Sequence, residues 1–308
     1  MWNVFEASST LDLNLRNFLS FNGISPQDLY KATTLYELKA ERRTKSNDQG
    51  QKTSKSLKNG FMKLAKADAY NMLTFLSKWL EAPTSQMTEK ESRMLLMVYF
   101  TLFSKPPEES LVKSFKRLSA DVKNEVKELT VYNLSQITHL PKALDIDQAI
   151  PLELHASYST DQILAAFGAH TESYKYPLRE GIYYSKQYNI DLFFITLNKS
   201  EKHYKTSTMY EDYAINEWLF HWQSQSRTTV ESPTGQRYVN MRENGTKVIL
   251  FVREEKKDEY SATEVYTCLG LADYVSHQGS SPISITYKLH EKMPMNVLRR
   301  SNLHVDIV

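Results

Sequence analysis

The hydrophobic period of the chain changes near Pro141–Pro151, and this change limits the possible folds more than any other feature of the sequence. Before it, apolar residues recur at helical spacing. Leu57, Phe61, Leu64, Ala65, Ala69, Met72, Leu73, Leu76 and Leu80 would share one face, which predicts a single helix over 57–80. Further helices are expected over Asp12–Phe21, from Ser25-Pro26, from the capping box Thr88-x-x-Glu91, and over Glu109–Val131 after Pro106-Pro107. The polar stretch 45–56 reads as a loop.

Beyond Pro151 one short helix is expected at Ser159–Gly168, and short β-branched, aromatic segments follow. They are Gly181–Tyr184, Asp191–Leu197, Arg237–Asn240, Lys247–Arg253, Val265–Leu271 and Ile283–Leu289, separated by turn signals such as Asn244-Gly245 and Ser281-Pro282. Six short strands with few helices predict a small barrel or a strongly curved sheet. The expected class is α+β: an all-α helical domain over 1–140, then a curved β-barrel-like domain with a few helices over 141–308.

Composition narrows the function. With 41% hydrophobic and 24% charged residues, the chain has an ordinary globular balance. Runs such as Met94–Phe103 are too short to span a bilayer, and the first residues do not read as a signal peptide. The single cysteine, Cys268, excludes an intrachain disulfide and a cysteine-rich zinc site, so a cytoplasmic setting without membrane contact is expected. The net charge is only +2, although nine basic residues crowd into 39–66 beside Glu41 and Asp48. That stretch reads either as a phosphate-neutralising segment or as a solvated loop. A chain that opens directly into helical sequence suggests a piece of a longer one.

The densest chemistry lies between Thr208 and Ser226, where five aromatic rings accompany His221, three acids and several amides and hydroxyls. Two readings stand. In one, Trp218 and Phe220 are core and the polar groups cap a helix; in the other, rings and polar edges together form a pocket for a planar heterocycle. The histidines show no metal-ligand spacing.

Several ordered stretches resemble the C-terminal domain of SauUSI-like, ATP-driven type IV restriction enzymes. They are Leu152–Ala156, Tyr158–Ala165, Asp191–Lys199, Tyr210–Ile215, Phe220–Gln225, Leu250–Glu254, and Leu269-Gly270 through Ser284-Ile285-Thr286. The resemblance implies an SRA/PUA-like target-recognition domain that holds a flipped 5-methylcytosine, preceded by a helical coupler. It further implies double-stranded methylated DNA as partner. A helicase-type motor using ATP and Mg, and a phospholipase-D-like nuclease, would lie elsewhere in the full-length polypeptide, with no cofactor in the present part. On this reading Tyr210, Tyr213 and Trp222 stack on the base and Asp212 accepts from its amino group. His221 forms a pocket wall, and Gln223, Ser224 and Gln225 pair with the ring edge or fill the gap in the duplex. Lys199, Lys202, Lys205, Arg227 and Arg253 are assigned to the phosphate backbone. Discrimination of one methyl group is expected to be modest, about 1–3 kcal/mol.

Four other readings stand against this one. His203-Tyr204-Lys205 begins a phospholipase-D signature, but Tyr210 stands where its aspartate is required. No phosphate-binding glycine-lysine loop is present in the sequence. Glu254-Glu255-Lys256 mimics half of a metal-dependent nuclease site, with Glu243 as the remaining acid. A purely structural coupling module is the last alternative.

Overall fold

A computed structural model describes residues 14–43, 55–198 and 212–302. The helical half contains α1 (Leu15–Asn22), α2 (Pro26–Ala32), α3 (Leu35–Arg43), α4 (Lys55–Leu64), α5 (Tyr70–Glu81), α6 (Glu89–Phe103), α7 (Leu111–Lys116) and α8 (Ala120–Gln136). The expected starts are present. Ser25 and Asp28 cap α2 reciprocally behind Pro26, and Thr88 with Glu91 does the same for α6.

The single helix expected over 57–80 is instead two helices. Their corner is held by tertiary partners for the freed backbone groups. Asn133 on α8 donates to the carbonyls of Leu64 and Ala67 at 2.8 and 3.0 Å. Glu153 accepts from the amides of Tyr70 and Asn71 at 3.0 and 2.7 Å, opening α5. The expected helix 109–131 likewise divides, with Ser119 capping α8.

The second half holds β1 (Ser157–Tyr158), α9 (Thr160–Ala166), β2 (Ile182–Ser185), β3 (Ile190–Thr196), β4 (Tyr213–Ala214), β5 (Leu219–Gln223), α10 (Pro233–Val239), α11 (Met241–Asn244), β6 (Lys247–Arg253), β7 (Tyr266–Gln278), β8 (Ser284–Leu289) and α12 (Met295–Asn302). Arg237–Asn240 is therefore not a strand. Ser232 caps and Pro233 opens α10, because a serine–proline pair favours a helical first turn over a ladder position.

The strand order is β2-β3-β6-β7-β8-β5-β4, with β1 paired to β7. All neighbours run antiparallel except β3 and β6. The sheet is mixed and does not close into a barrel, which corrects the barrel-like expectation. It is nevertheless strongly curled. Three strands separate β3 from β5, about 19 Å across a flat sheet. Yet the rings of Phe193 on β3 and Trp222 on β5 stack with centroids 4.2 Å apart. Bulges in β7 assist the bend. Gly270 at one of them has φ 81°, and a Cβ there would lie 2.7 Å from Leu154 Cδ1.

Two apolar clusters result. One lies inside the curl, where Phe193, Phe220, Trp222, Tyr238, Ile285 and Tyr287 interlock. The other joins the outer face of β3, β6 and β7 to the helices, running without a break from Leu15 on α1 to Leu271 on β7. The helical half and the sheet thus share a core. Its centre is α6, buried from Arg93 through Leu102. No helix among the described residues is long and apolar enough to cross a membrane.

Candidate nucleic-acid interface

Strand alternation sorts the residues of the Thr208–Ser226 cluster. Along β5, Phe220 and Trp222 point into the curl, while Leu219, His221 and Gln223 point out. Trp222 stacks on Phe193 and meets Tyr238 edge-on at 5.3 Å, so in this structure it is a core ring and not a wall open to a base. Ser224 is also interior: its Oγ accepts from the amide of Ile283 at 2.9 Å. Asp212 is 8% exposed, and its Oδ1 accepts from the backbone amide of Gln223 at 3.0 Å, tying the start of β4 to the end of β5.

The outward groups form a polar strip. Tyr213 and His221 lie directly across the β4–β5 pair, with rings stacked at 4.7 Å and 18°. Register places Thr286 beside His221, and Ser284 beside Gln223, whose amide donates to Ser284 Oγ at 3.2 Å. Ser276 and Gln278 continue the strip on β7. Gln225 lies half-buried, its amide 3.4 Å from the carbonyl of Glu180, and Arg227 is exposed. Tyr210, Lys199, Lys202 and Lys205 lie outside the described residues.

A concave site occurs elsewhere, at the rim of the curl where β3 and β6 end and β7 begins. It is a cleft of about 460 Å³, within the range of small-ligand sites. Its floor includes Leu197, Val252, Val265 and Val297, with the hydroxyls of Ser157 and Thr267 side by side in the β1–β7 register. Arg253 is fixed in the wall. Its guanidinium lies 4.4 Å from the Tyr266 ring centre, while Nε donates to Thr196 Oγ1 at 2.9 Å and Nη1 to the carbonyl of Glu264 at 3.3 Å. Arg253, the predicted backbone contact, is thus brought to the cleft. Arg300 on α12 joins it and pairs with Glu254 at 3.3 Å. No sequence signal marked Arg300, Ser157 or Thr267, because their positions converge only through folding.

Charge limits what the cleft accommodates. Glu254, Glu255, Asp258, Glu259 and Glu264 outnumber Arg253, Lys257 and Arg300 in its lining. An acidic excess repels a polyphosphate but suits a heterocycle whose edge carries amino donors. Three of these acids are committed: Glu254 to Arg300, and Asp258 and Glu264 to Lys66 at 2.6 and 3.0 Å. Glu255 and Glu259 form no ion pair among the described residues.

Other charged groups are structural. Asp191 on β3 is fully buried and takes both ends of Arg237 at 3.1 and 3.2 Å. Burial raises its carboxyl above the ordinary value, with the Arg237 bonds opposing that shift. Within the basic stretch, Lys39, Lys58, Lys63 and Lys66 each sit within 4.0 Å of a carboxylate of this chain. Those lysines serve the fold before they serve phosphates. Glu243 precedes β6 and Glu254 follows it, so about 23 Å of strand separates the two acids of the nuclease alternative. That separation prevents one ion from bridging them and removes the alternative. No cluster of His, Cys, Asp and Glu able to hold a metal occurs among the described residues. Cys268 is buried, and desolvation pushes its thiol up to about 12, leaving it unreactive.

Residues 152–300 match the family described as "Domain of unknown function (DUF3427)". That range holds β1, the curled sheet, the polar strip and the cleft. No curated protein matches the chain. Among solved structures, Arabidopsis thaliana SUVH6 in complex with SAM is similar at 13% identity and a TM-score of 0.31. The alignment covers 75% of this chain and 42% of that one. The chain therefore spans less than half the length of that structure, and a likeness so slight carries no argument about fold or activity.

Proposed function

We propose that this chain is the target-recognition part of a modification-dependent, ATP-driven restriction enzyme, and that it binds DNA containing 5-methylcytosine by taking one base out of the duplex. The observation that carries the reading is the rim cleft. It is large enough to admit a base, is lined by more acids than bases, and is flanked by an arginine already fixed in place. Cytosine offers an exocyclic amino donor, which Glu255 or Glu259 would accept. Arg253 would lie against a phosphate or a ring edge.

The polar strip would lie along the duplex, with Tyr213, His221, Gln223 and Gln225 meeting groove edges. Arg227, Lys199, Lys202 and Lys205 would meet phosphates. The base-facing role moves from the Trp222 region to the rim, since the curl interior is filled. The motor that uses ATP and Mg, and the nuclease, would belong to other parts of the same polypeptide.

Titration of a duplex with one methylated cytosine against its unmethylated twin tests this. The methylated duplex is expected to bind more tightly by about 1–3 kcal/mol. That preference should shrink in Glu255→Gln and Glu259→Gln. Equal affinities for both duplexes in the unaltered chain would refute the reading and leave a coupling module.

A further inference from the structure

The cleft is supported from behind by the helical half, and the support converges on one short corner. Between α4 and α5, residues 65–69 turn under the cleft. From this corner Lys66, whose side chain is only 10% exposed, bonds to Asp258 and Glu264 at 2.6 and 3.0 Å. Two residues on, Asp68 accepts from the amide and hydroxyl of Ser157 at 2.5 and 3.1 Å. Asp258, Glu264 and Ser157 all line the cleft. The same corner therefore holds both the β6–β7 loop and the β1 wall.

The loop depends on this hold for its shape. Asp258 also accepts from the amide of Ala262 at 2.7 Å, closing the turn that carries Glu259. A second tie comes from α2, where Tyr260 donates to Asp28 at 2.9 Å while Lys31 sits 5.3 Å over its ring. The corner itself is anchored to α8 through Asn133. A displacement of the loop would therefore reach α2 through Tyr260 and, through the corner, α4, α5 and α8.

We infer that the 65–69 corner is a positioning element for the cleft, with Lys66 and Asp68 as residues that set the DNA affinity without touching DNA, and that it links cleft occupancy to the helical half. The inference rests on the cleft being the base-reading site. A lysine that touched phosphate would behave differently, and salt separates the two roles.

The test measures binding of the methylated duplex across a salt series for Lys66→Met, Asp68→Asn and the conservative Lys66→Arg. Lys39→Met, whose partner Glu128 lies away from the cleft, is the control. Amide hydrogen exchange over 255–265 is followed in the same proteins. Expected is a loss of roughly 2-fold to 30-fold in affinity for Lys66→Met and Asp68→Asn, faster exchange in the loop for Lys66→Met, substantial rescue by Lys66→Arg, and an unchanged salt slope. Unchanged affinity overturns the inference even if exchange quickens, since the corner would then not act on the site. A salt slope reduced by about 0.9 also overturns it, because Lys66 would be a phosphate contact. If the unaltered chain fails to bind the methylated duplex, the functional reading falls first. The corner is then judged by exchange alone: unchanged exchange in Lys66→Met overturns it as a positioning element, and quicker exchange confined to 255–265 retains it.

Discussion

The inside of the curl and its rim are built from opposite materials. Inside, Phe193, Trp222, Tyr238 and Tyr287 meet in stacked and edge-on pairs, and the space is filled. At the rim, one arginine lies on one tyrosine amid acids and hydroxyls, and space remains. A high density of aromatic rings thus marks where the sheet closes on itself. The place left for a ligand is where strands end and polar groups converge from several segments.

The sharpest way to break this contrast is to remove a ring from each side. Trp222→Ala opens a cavity between β3 and β5 and should cost about 3–5 kcal/mol of stability by denaturant unfolding. Tyr213→Ala, on the outer strip, should cost less than about 1 kcal/mol. Similar costs for both would mean that the interior is not closed as described.

A second test concerns the helical half. Glu125 is almost fully buried and accepts from the amides of Leu35 and Tyr36 at 2.9 and 3.0 Å. Burial raises its carboxyl to about 7. A raised carboxylate holds its proton longer in the folded state, so stability is higher below the unfolded value and falls as pH rises toward 7. The loss between pH 4.5 and 7 should be on the order of 3 kcal/mol. In Glu125→Gln that part of the pH dependence should vanish, as read by unfolding at a series of pH values.

Gly60 sharpens the contrast between close packing and open rim. A Cβ there would fall 2.2 Å from the carbonyl oxygen of Leu102, so α4 would have to move off α6. Gly60→Ala should destabilise by about 1–3 kcal/mol while leaving relative affinity for methylated and unmethylated DNA unchanged. The smallest expected change in stability belongs to the rim. Arg253→Met should lower DNA affinity by about 1–3 kcal/mol yet shift the unfolding midpoint only slightly. A large stability loss with unchanged binding would make Arg253 a fold residue.

Much of the architecture was legible in the sequence. Capping boxes at Ser25, Thr88 and Ser159 mark real helix starts, since the capping side chains lie within one turn of the groups they satisfy. The β-branched runs expected at 191–197, 247–253, 265–271 and 283–289 fall on strands β3, β6, β7 and β8. Misreadings arose where a local pattern competed with a distant partner. Helical spacing continues through Ala65–Ala69, but Asn133 and Glu153 take the backbone groups there and divide the helix. Arg237–Asn240 looked strand-like although Ser232-Pro233 just upstream already favoured a helix.

The candidate site was legible only in part. Of the residues singled out in the sequence, Arg253 lines the cleft, and Tyr213, His221 and Gln223 share one outward face. Trp222 and Ser224 faced the other way.

The elements and their alternation are written locally, because hydrophobic period and capping act over one or two turns of chain. Tertiary structure alone decided that β3 meets β5 across the curl, and that Ser157, Arg253, Thr267 and Arg300 share one cleft. Those groups lie up to 143 residues apart, and only the bend of the sheet brings them within reach of one another.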